Sequence, residues 1–242
     1  MAGRNRVGEF YGANELPTAA EAVLTNNELD VAIVRGALDV TQFPAVDDEP
    51  TAKKIDFTPL LEDMLPYDRL DAVVRDWHEA HTAVEPYRYK LGGRNPGSIG
   101  ATKFPVATPS SLHYDALNTG HSTGPLVLSH RIDNNPSIQK IFFSRRLETP
   151  LNGFDFINYS LGLPNHLPAH DKEILDKFGP LHLVIDEALA DDSPISSIEQ
   201  GTGDIIIIPG FPYAALHGAT ICMKDVFGPN PITIIEPYWF TK

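Results

Sequence analysis

From Lys90 onward the apolar residues of this chain come in short runs, cut apart by Gly and Pro. That spacing limits the fold more than any other feature. Runs of this length suit strands, and the chain's 18 Gly and 21 Pro supply the turns between them while breaking longer helices. Strands are predicted at His113 to Asp115, Pro125 to Ile132, Ile138 to Ser144, Phe154 to Leu161, Leu181 to Ile185, Asp204 to Ile208, Ala214 to Gly218 and Ile232 to Trp239. Short strands in this number, joined by turn-rich links, predict a sandwich or barrel.

The first part of the chain reads differently. Thr18-Ala-Ala-Glu21 has the capping-box pattern that opens a helix, and Val31 to Val34 before Arg35-Gly36 reads as a strand. Thr58-Pro59 starts a second helix with Pro at its first position. Leu70, Val73, Val74, Trp77 and His81 recur at helical spacing, predicting an amphipathic helix over Tyr67 to Thr82 with that face inward. Without a repeat or linker, residues 1–242 are expected to form one mainly β domain. Residues 1–102 would give a helical flank and the first strands, and 103–242 the barrel core.

The 242 residues are 42% hydrophobic, enough for a buried core. A formal charge of −13 repels a phosphate backbone, so nucleic acid is not an expected partner. The single cysteine, Cys222, excludes an intrachain disulfide framework and any zinc site needing two cysteines. With no secretory h-region and no apolar stretch of membrane-spanning length, a soluble cytoplasmic protein with no membrane partner is expected.

His113 and Asp115 are two residues apart, so on a strand both side chains point to one face while Tyr114 turns away. This is half a metal site. Gly203-Asp204 opens a run of four isoleucines, Pro209-Gly210 turns the chain, and His217 follows shortly before Gly218. Such a hairpin can deliver an imidazole from a neighbouring strand to meet the first pair.

In these residues the chain resembles the Fe(II)/2-oxoglutarate dioxygenase superfamily, over roughly Lys103 to Lys242. The resemblance implies a double-stranded β-helix, a jelly-roll or cupin-like barrel, with Fe(II) held by His113, Asp115 and His217. Two imidazoles and one carboxylate on one face of an octahedron leave three positions open for co-substrate and O2. The implied chemistry decarboxylates 2-oxoglutarate to succinate while a carbon centre of a small-molecule substrate, such as an amino acid or secondary metabolite, is hydroxylated, desaturated or cyclised. Asp115 stands where related halogenases carry Gly or Ala, which favours oxygenation over halogenation.

Members of the superfamily anchor the far carboxylate of 2-oxoglutarate with an Arg or Lys. No arginine follows His217, and Lys224, seven residues on, is the basic residue before Lys242. Another branch carries the anchor on a strand after the His-x-Asp, where Arg131 lies, and Arg131 is the first choice because its fork takes a carboxylate bidentately. An ion pair with Asp133 is the alternative for Arg131. Lys140 and Arg145 are further candidates. Thr123, with Asn118, Thr119 and His121, follows the motif closely enough to line the pocket, as a hairpin loop would also allow.

His182 rivals His217 as the distal ligand, without the Gly-Asp and turn context. His78 and His81 lie on the predicted helix beside Trp77, where packing is the simpler reading. His166, His170 and Asp171 read as a loop entering a helix that Asp171 or a neighbour caps. The basic, aromatic segment from Tyr87 to Gly97 reads as a lid, a carboxylate-binding wall or an exposed turn. The apolar tail Pro237-Tyr-Trp-Phe allows either a core or a homodimer interface. Two other functions stay open: a cupin-type metalloenzyme that does not use 2-oxoglutarate, and a non-catalytic β-sandwich module in which the three ligands never meet.

Overall fold

A computed structural model describes residues 6–25, 29–45, 52, 54–82, 90–94, 98–101, 121–134, 139–147, 195–210, 213–221 and 232–241. Ten strands are described: β1 (Val7–Tyr11), β2 (Val31–Arg35), β3 (Lys90–Arg94), β4 (Ser98–Ala101), β5 (His121–Arg131), β6 (Gln139–Ser144), β7 (Ile195–Gln200), β8 (Ile205–Pro209), β9 (His217–Ile221) and β10 (Ile232–Thr241). Helices α1 (Leu16–Thr25), α2 (Thr58–Met64) and α3 (Tyr67–Thr82) belong to the N-terminal part.

One seven-stranded sheet runs β1-β2-β8-β5-β10-β3, with β4 also on β10, and a three-stranded sheet runs β7-β6-β9. Among the described strands the chain crosses from one sheet to the other between β5 and β6, between β7 and β8, between β8 and β9, and between β9 and β10. β5 lies between β8 and β10, and β6 between β7 and β9, all antiparallel. Three two-strand arms, each spanning both sheets, are the connectivity of a jelly roll. The fold is therefore a double-stranded β-helix with a helical flank, as expected.

Strand alternation sorts the large sheet's side chains into two cores. Ala32, Val34, Leu126, Leu128, Ile205, Ile207, Ile232, Ile234 and Tyr238 pack on one face with Leu16, Val23, Leu70, Val74 and Trp77 of the helices. Val31, Ile33, Val127, Ile206 and Ile208 face the other way and meet Ile141, Phe143 and Ile198 of the small sheet. The isoleucine run of β8 serves both cores, which is why it is apolar throughout.

The helices form largely where periodicity places them. α3 has the predicted bounds and buries Tyr67, Leu70, Val74 and Trp77. α2 starts at Thr58-Pro59, with Asp56 Oδ1 accepting from the Thr58 amide at 3.0 Å. α1 begins at Leu16, ahead of the expected Thr18 cap, because Pro17 fits a first turn where its missing N–H is not needed and Leu16 is fully buried.

Two strand readings shift, and one loop reading becomes a strand. β5 extends back to His121, carrying an irregular register against β10 between Pro237 and Trp239. β9 begins at His217 rather than ending beside it, because the Ala215 amide bonds back to Pro209 O at 3.3 Å and holds Ala214 to Leu216 out of the ladder. Lys90 to Arg94 is a strand and not a turn, since Gly93 at φ 94° still lets β3 pair with the far edge of β10. The strands predicted at His113 to Asp115, Phe154 to Leu161 and Leu181 to Ile185 lie outside the described residues. The aromatic tail is core, with Tyr238 and Phe240 buried within the chain. Among the described residues no helix is long and apolar enough to cross a membrane.

Candidate metal centre and its surroundings

His217 is the first residue of β9 and lies opposite Phe143 of β6. Directly paired residues share a face of the sheet, and Phe143 belongs to the inter-sheet core. The imidazole of His217 therefore faces the barrel interior, where it is 8% exposed. Its Nδ1 lies 3.1 Å from Ala215 O. A carbonyl only accepts, so this contact puts a proton on Nδ1, and in the neutral ring the lone pair is then on Nε2. That is the tautomer a divalent metal binds, oriented by a backbone acceptor as metal-ligating histidines usually are.

The approach to His217 is fastened to both sheets. On the large sheet, the Gly210 amide donates to Pro125 O at 2.8 Å. On the small sheet, the Ser144 amide donates to Leu216 O at 2.8 Å, the Leu216 amide donates to Ser144 Oγ at 3.2 Å, and the Leu147 amide donates to Ala214 O at 3.2 Å. His217 thus sits at the barrel end formed by the start of β5 and the ends of β6 and β8.

His113 and Asp115 lie outside the described residues, as do His166, His170, Asp171, His182, Asn118, Thr119 and Lys224. Among the described residues no group of three or more His, Cys, Asp or Glu is arranged to hold a metal. The backbone of His121 and Thr123 is described, and it pairs with Thr241 and Trp239 of β10. Asp115 stands six residues before His121, a tether of at most about 20 Å.

Arg131 is fully buried, and its fork is occupied: Nε donates to Asp133 Oδ2 at 2.6 Å and Nη2 to Asp133 Oδ1 at 3.1 Å. Nη1 donates to Gln200 O at 3.1 Å. Gln200 pairs with Gln139, whereas His217 pairs with Phe143 four residues further along β6, roughly 13 Å away at strand rise. Arg131 thus takes the ion-pair arrangement that the sequence also allows. Lys140 pairs with Glu199 at 3.7 Å, and Arg145 is half-buried just past β6.

The helix histidines pack. His81 stacks on Trp77 with centroids 4.2 Å apart and donates from Nδ1 to Trp77 O, while the ring of His78 lies 5.2 Å from Phe240.

A buried polar network on the helix side of the large sheet is not foreshadowed by any sequence motif. Glu236, 1% exposed on β10, accepts at Oε2 from Tyr67 Oη at 2.6 Å and His130 Nε2 at 2.9 Å, and at Oε1 from Arg94 Nη1 at 3.0 Å. Arg94 also donates from Nε to Asp71 at 2.9 Å and lies 3.5 Å above the Tyr67 ring. Tyr238 Oη donates to Asp71 at 2.7 Å. Burial pushes the Glu236 carboxyl up, but His130, Tyr67 and Arg94 outweigh it and hold its pKa below the usual range. Burial raises both tyrosines, reinforced by Glu236 at Tyr67 and by Asp71 at Tyr238. They stay protonated donors. The one cue was a lone carboxylate inside the apolar run Ile232 to Phe240.

The chain is similar to solved non-haem Fe(II) dioxygenases. The Kdo hydroxylase KdoO, described as a non-heme Fe(II) alphaketoglutarate dependent dioxygenase, in complex with alphaketoglutarate and Fe(III), is 14% identical at a TM-score of 0.40, covering 98% of this chain and 90% of that one. Its complex with succinate and Fe(III) is 15% identical at 0.38, covering 98% and 89%. AAD-2 in complex with Mn(II) and N-oxalylglycine is 9% identical at 0.34, covering 99% and 96%. No protein-family model and no curated protein sequence matches the chain.

Proposed function

We propose that this chain is an Fe(II)- and 2-oxoglutarate-dependent oxygenase acting on a small molecule, with His113, Asp115 and His217 as the metal ligands. The observation that carries the reading is His217 itself. It faces the interior of a jelly roll, and the Ala215 carbonyl accepts from Nδ1–H, which in the neutral ring makes Nε2 the metal-binding nitrogen. That donor fits Fe(II), and with a carboxylate and a second imidazole it completes a facial triad.

When bound, the iron would supply oxygen activation coupled to decarboxylation of 2-oxoglutarate. One oxygen atom goes to succinate as CO2 leaves, and the other goes to a C–H bond of the substrate. The protein's part is to hold the reactants and keep water out. Ile141, Phe143, Ile206 and Ile208 give the interior an apolar lining. With the fork of Arg131 occupied by Asp133, we assign the far carboxylate of 2-oxoglutarate to Lys224, with Thr123 as a hydroxyl partner.

The test is a titration of 2-oxoglutarate into anaerobic Fe(II) protein, read by the weak visible band of the chelate. The band is expected in the wild type and lost in His217→Ala, and Lys224→Ala should raise the half-saturating concentration. Iron bound with no band at any concentration would turn the reading to a cupin-type enzyme that does not use 2-oxoglutarate. A protein that takes up no iron would leave the non-catalytic β-sandwich.

A further inference from the structure

We infer that Gly210 and Ser144 are positioning residues for the His217 imidazole, forming a two-sided clamp on the segment that crosses from the large sheet to the small one. The inference rests on the reading of His217 as a metal ligand.

The large-sheet side of the clamp is a stack of three backbones with no side chain between them. A Cβ on Gly210 would stand 2.1 Å from Gly124 O, and a Cβ on Gly124 would stand 2.8 Å from Tyr238 O. Gly210 is not at positive φ, so glycine is required there by space and not by dihedral freedom. With its amide on Pro125 O, the residue after β8 is seated directly on β5, which is itself seated on β10. A side chain at position 210 therefore cannot be added without lifting residue 210 off β5.

Ser144 holds the other side. It is fully buried at the end of β6, and its hydroxyl accepts from the Leu216 amide at 3.2 Å while donating to Arg145 O at 3.2 Å. Between the two fastenings lies the Ala215 peptide, tied by its amide to Pro209 O. The carbonyl of Ala215 orients the imidazole. A shift at either fastening tilts that carbonyl and swings Nε2, and supporting groups of this kind typically change metal affinity by roughly 10- to 100-fold.

The experiment compares Gly210→Ala, Ser144→Ala and the control Gly201→Ala, whose added Cβ would meet nothing nearer than Asp204 Oδ2 at 3.4 Å. Two quantities are read on folded protein: the imidazole 15N and Nδ1–H signals of His217 without metal, and the affinity for Co(II) from its visible absorption. Gly210→Ala is expected to shift the His217 signals and weaken Co(II) binding by roughly 10- to 100-fold, Ser144→Ala by roughly tenfold, and Gly201→Ala to change neither. Folded Gly210→Ala with wild-type signals and wild-type affinity overturns the clamp. Should Gly210→Ala not fold, Ser144→Ala decides: unchanged signals and affinity overturn the inference, and a change in both sustains it. A wild type that binds no Co(II), yet shows the Nδ1–H form that Gly210→Ala perturbs, keeps the clamp and removes the metal reading.

Discussion

The hydroxyl of Tyr67, the first residue of α3, donates to Glu236 at 2.6 Å in the middle of β10, across 169 residues of sequence. This bond belongs to the network that fastens the helical flank to the barrel. His130 brings β5 into it and Arg94 brings β3, so the carboxylate of Glu236 joins a helix and three strands.

Replacing Glu236 with Gln keeps the size of the side chain but leaves Arg94 and His130 facing a neutral group in a buried site. Breaking a buried ion pair from one side typically costs about 3–5 kcal/mol, and a loss of that order is expected in urea denaturation at pH 7. The pH dependence follows from the direction of the shift. A carboxyl whose folded pKa lies below its unfolded value of about 4.3 contributes stability that is complete above that value. The contribution is lost as pH falls through the folded pKa, because the unfolded chain binds the proton first. Stability measured from pH 6 downward should therefore fall less steeply in Glu236→Gln than in the wild type.

Arg94 supports the same network with geometry that lysine cannot copy. Its guanidinium reaches Asp71 and Glu236 from different nitrogens while its Cζ sits 3.5 Å from the centroid of the Tyr67 ring. A lysine offers one point charge and no plane. Arg94→Lys should lose about 1–3 kcal/mol, the cost of a buried acceptor left without its donor, and a thermal melt of Arg94→Lys matching the wild type would contradict this.

These contacts show where the sequence stops being informative. The bounds of α3 and the apolar strand leading to His217 were legible because helical and strand periods are local. Tyr67, Arg94 and His130 meet Glu236 across separations of 169, 142 and 106 residues, and no local pattern encodes such a meeting. The segment from Tyr87 to Gly97 reads as a lid, a carboxylate-binding wall or an exposed turn, and within it Lys90 to Arg94 becomes a strand because β10 offers it an edge. At the candidate site, His217 could be chosen from its context, but the carbonyl that sets its tautomer is backbone, and any residue at 215 would supply one.

Asp204 shows a motif residue acting structurally. Its carboxylate accepts from the Gly36 amide at 3.0 Å, the Gly201 amide at 2.9 Å and Arg35 Nη1 at 2.8 Å. The Gly203-Asp204 pair that heralds the distal histidine thus ties the start of β8 to the end of β2, five residues before the turn at Pro209. Asp204→Asn should lower stability by about 1–3 kcal/mol and leave Co(II) affinity at the wild-type value. A drop in affinity at unchanged stability would place Asp204 in the metal centre instead.

Arg131 and Asp133 decide whether the co-substrate anchor lies on β5. Nε and Nη2 of Arg131 are bonded to Asp133, whose Oδ2 also accepts from the Ile232 amide at 2.7 Å, so the pair closes the junction between β5 and β10 at the barrel end away from His217. A lysine at 131 keeps the charge but loses the two-point grip, and should cost about 1–3 kcal/mol in a denaturant melt. Because the carboxylate that this fork holds belongs to the protein, the KM for 2-oxoglutarate should be the same in Arg131→Lys as in the wild type. A raised KM with an unchanged melt would mean that 2-oxoglutarate displaces Asp133 from the fork during turnover, and would return the anchor from Lys224 to Arg131.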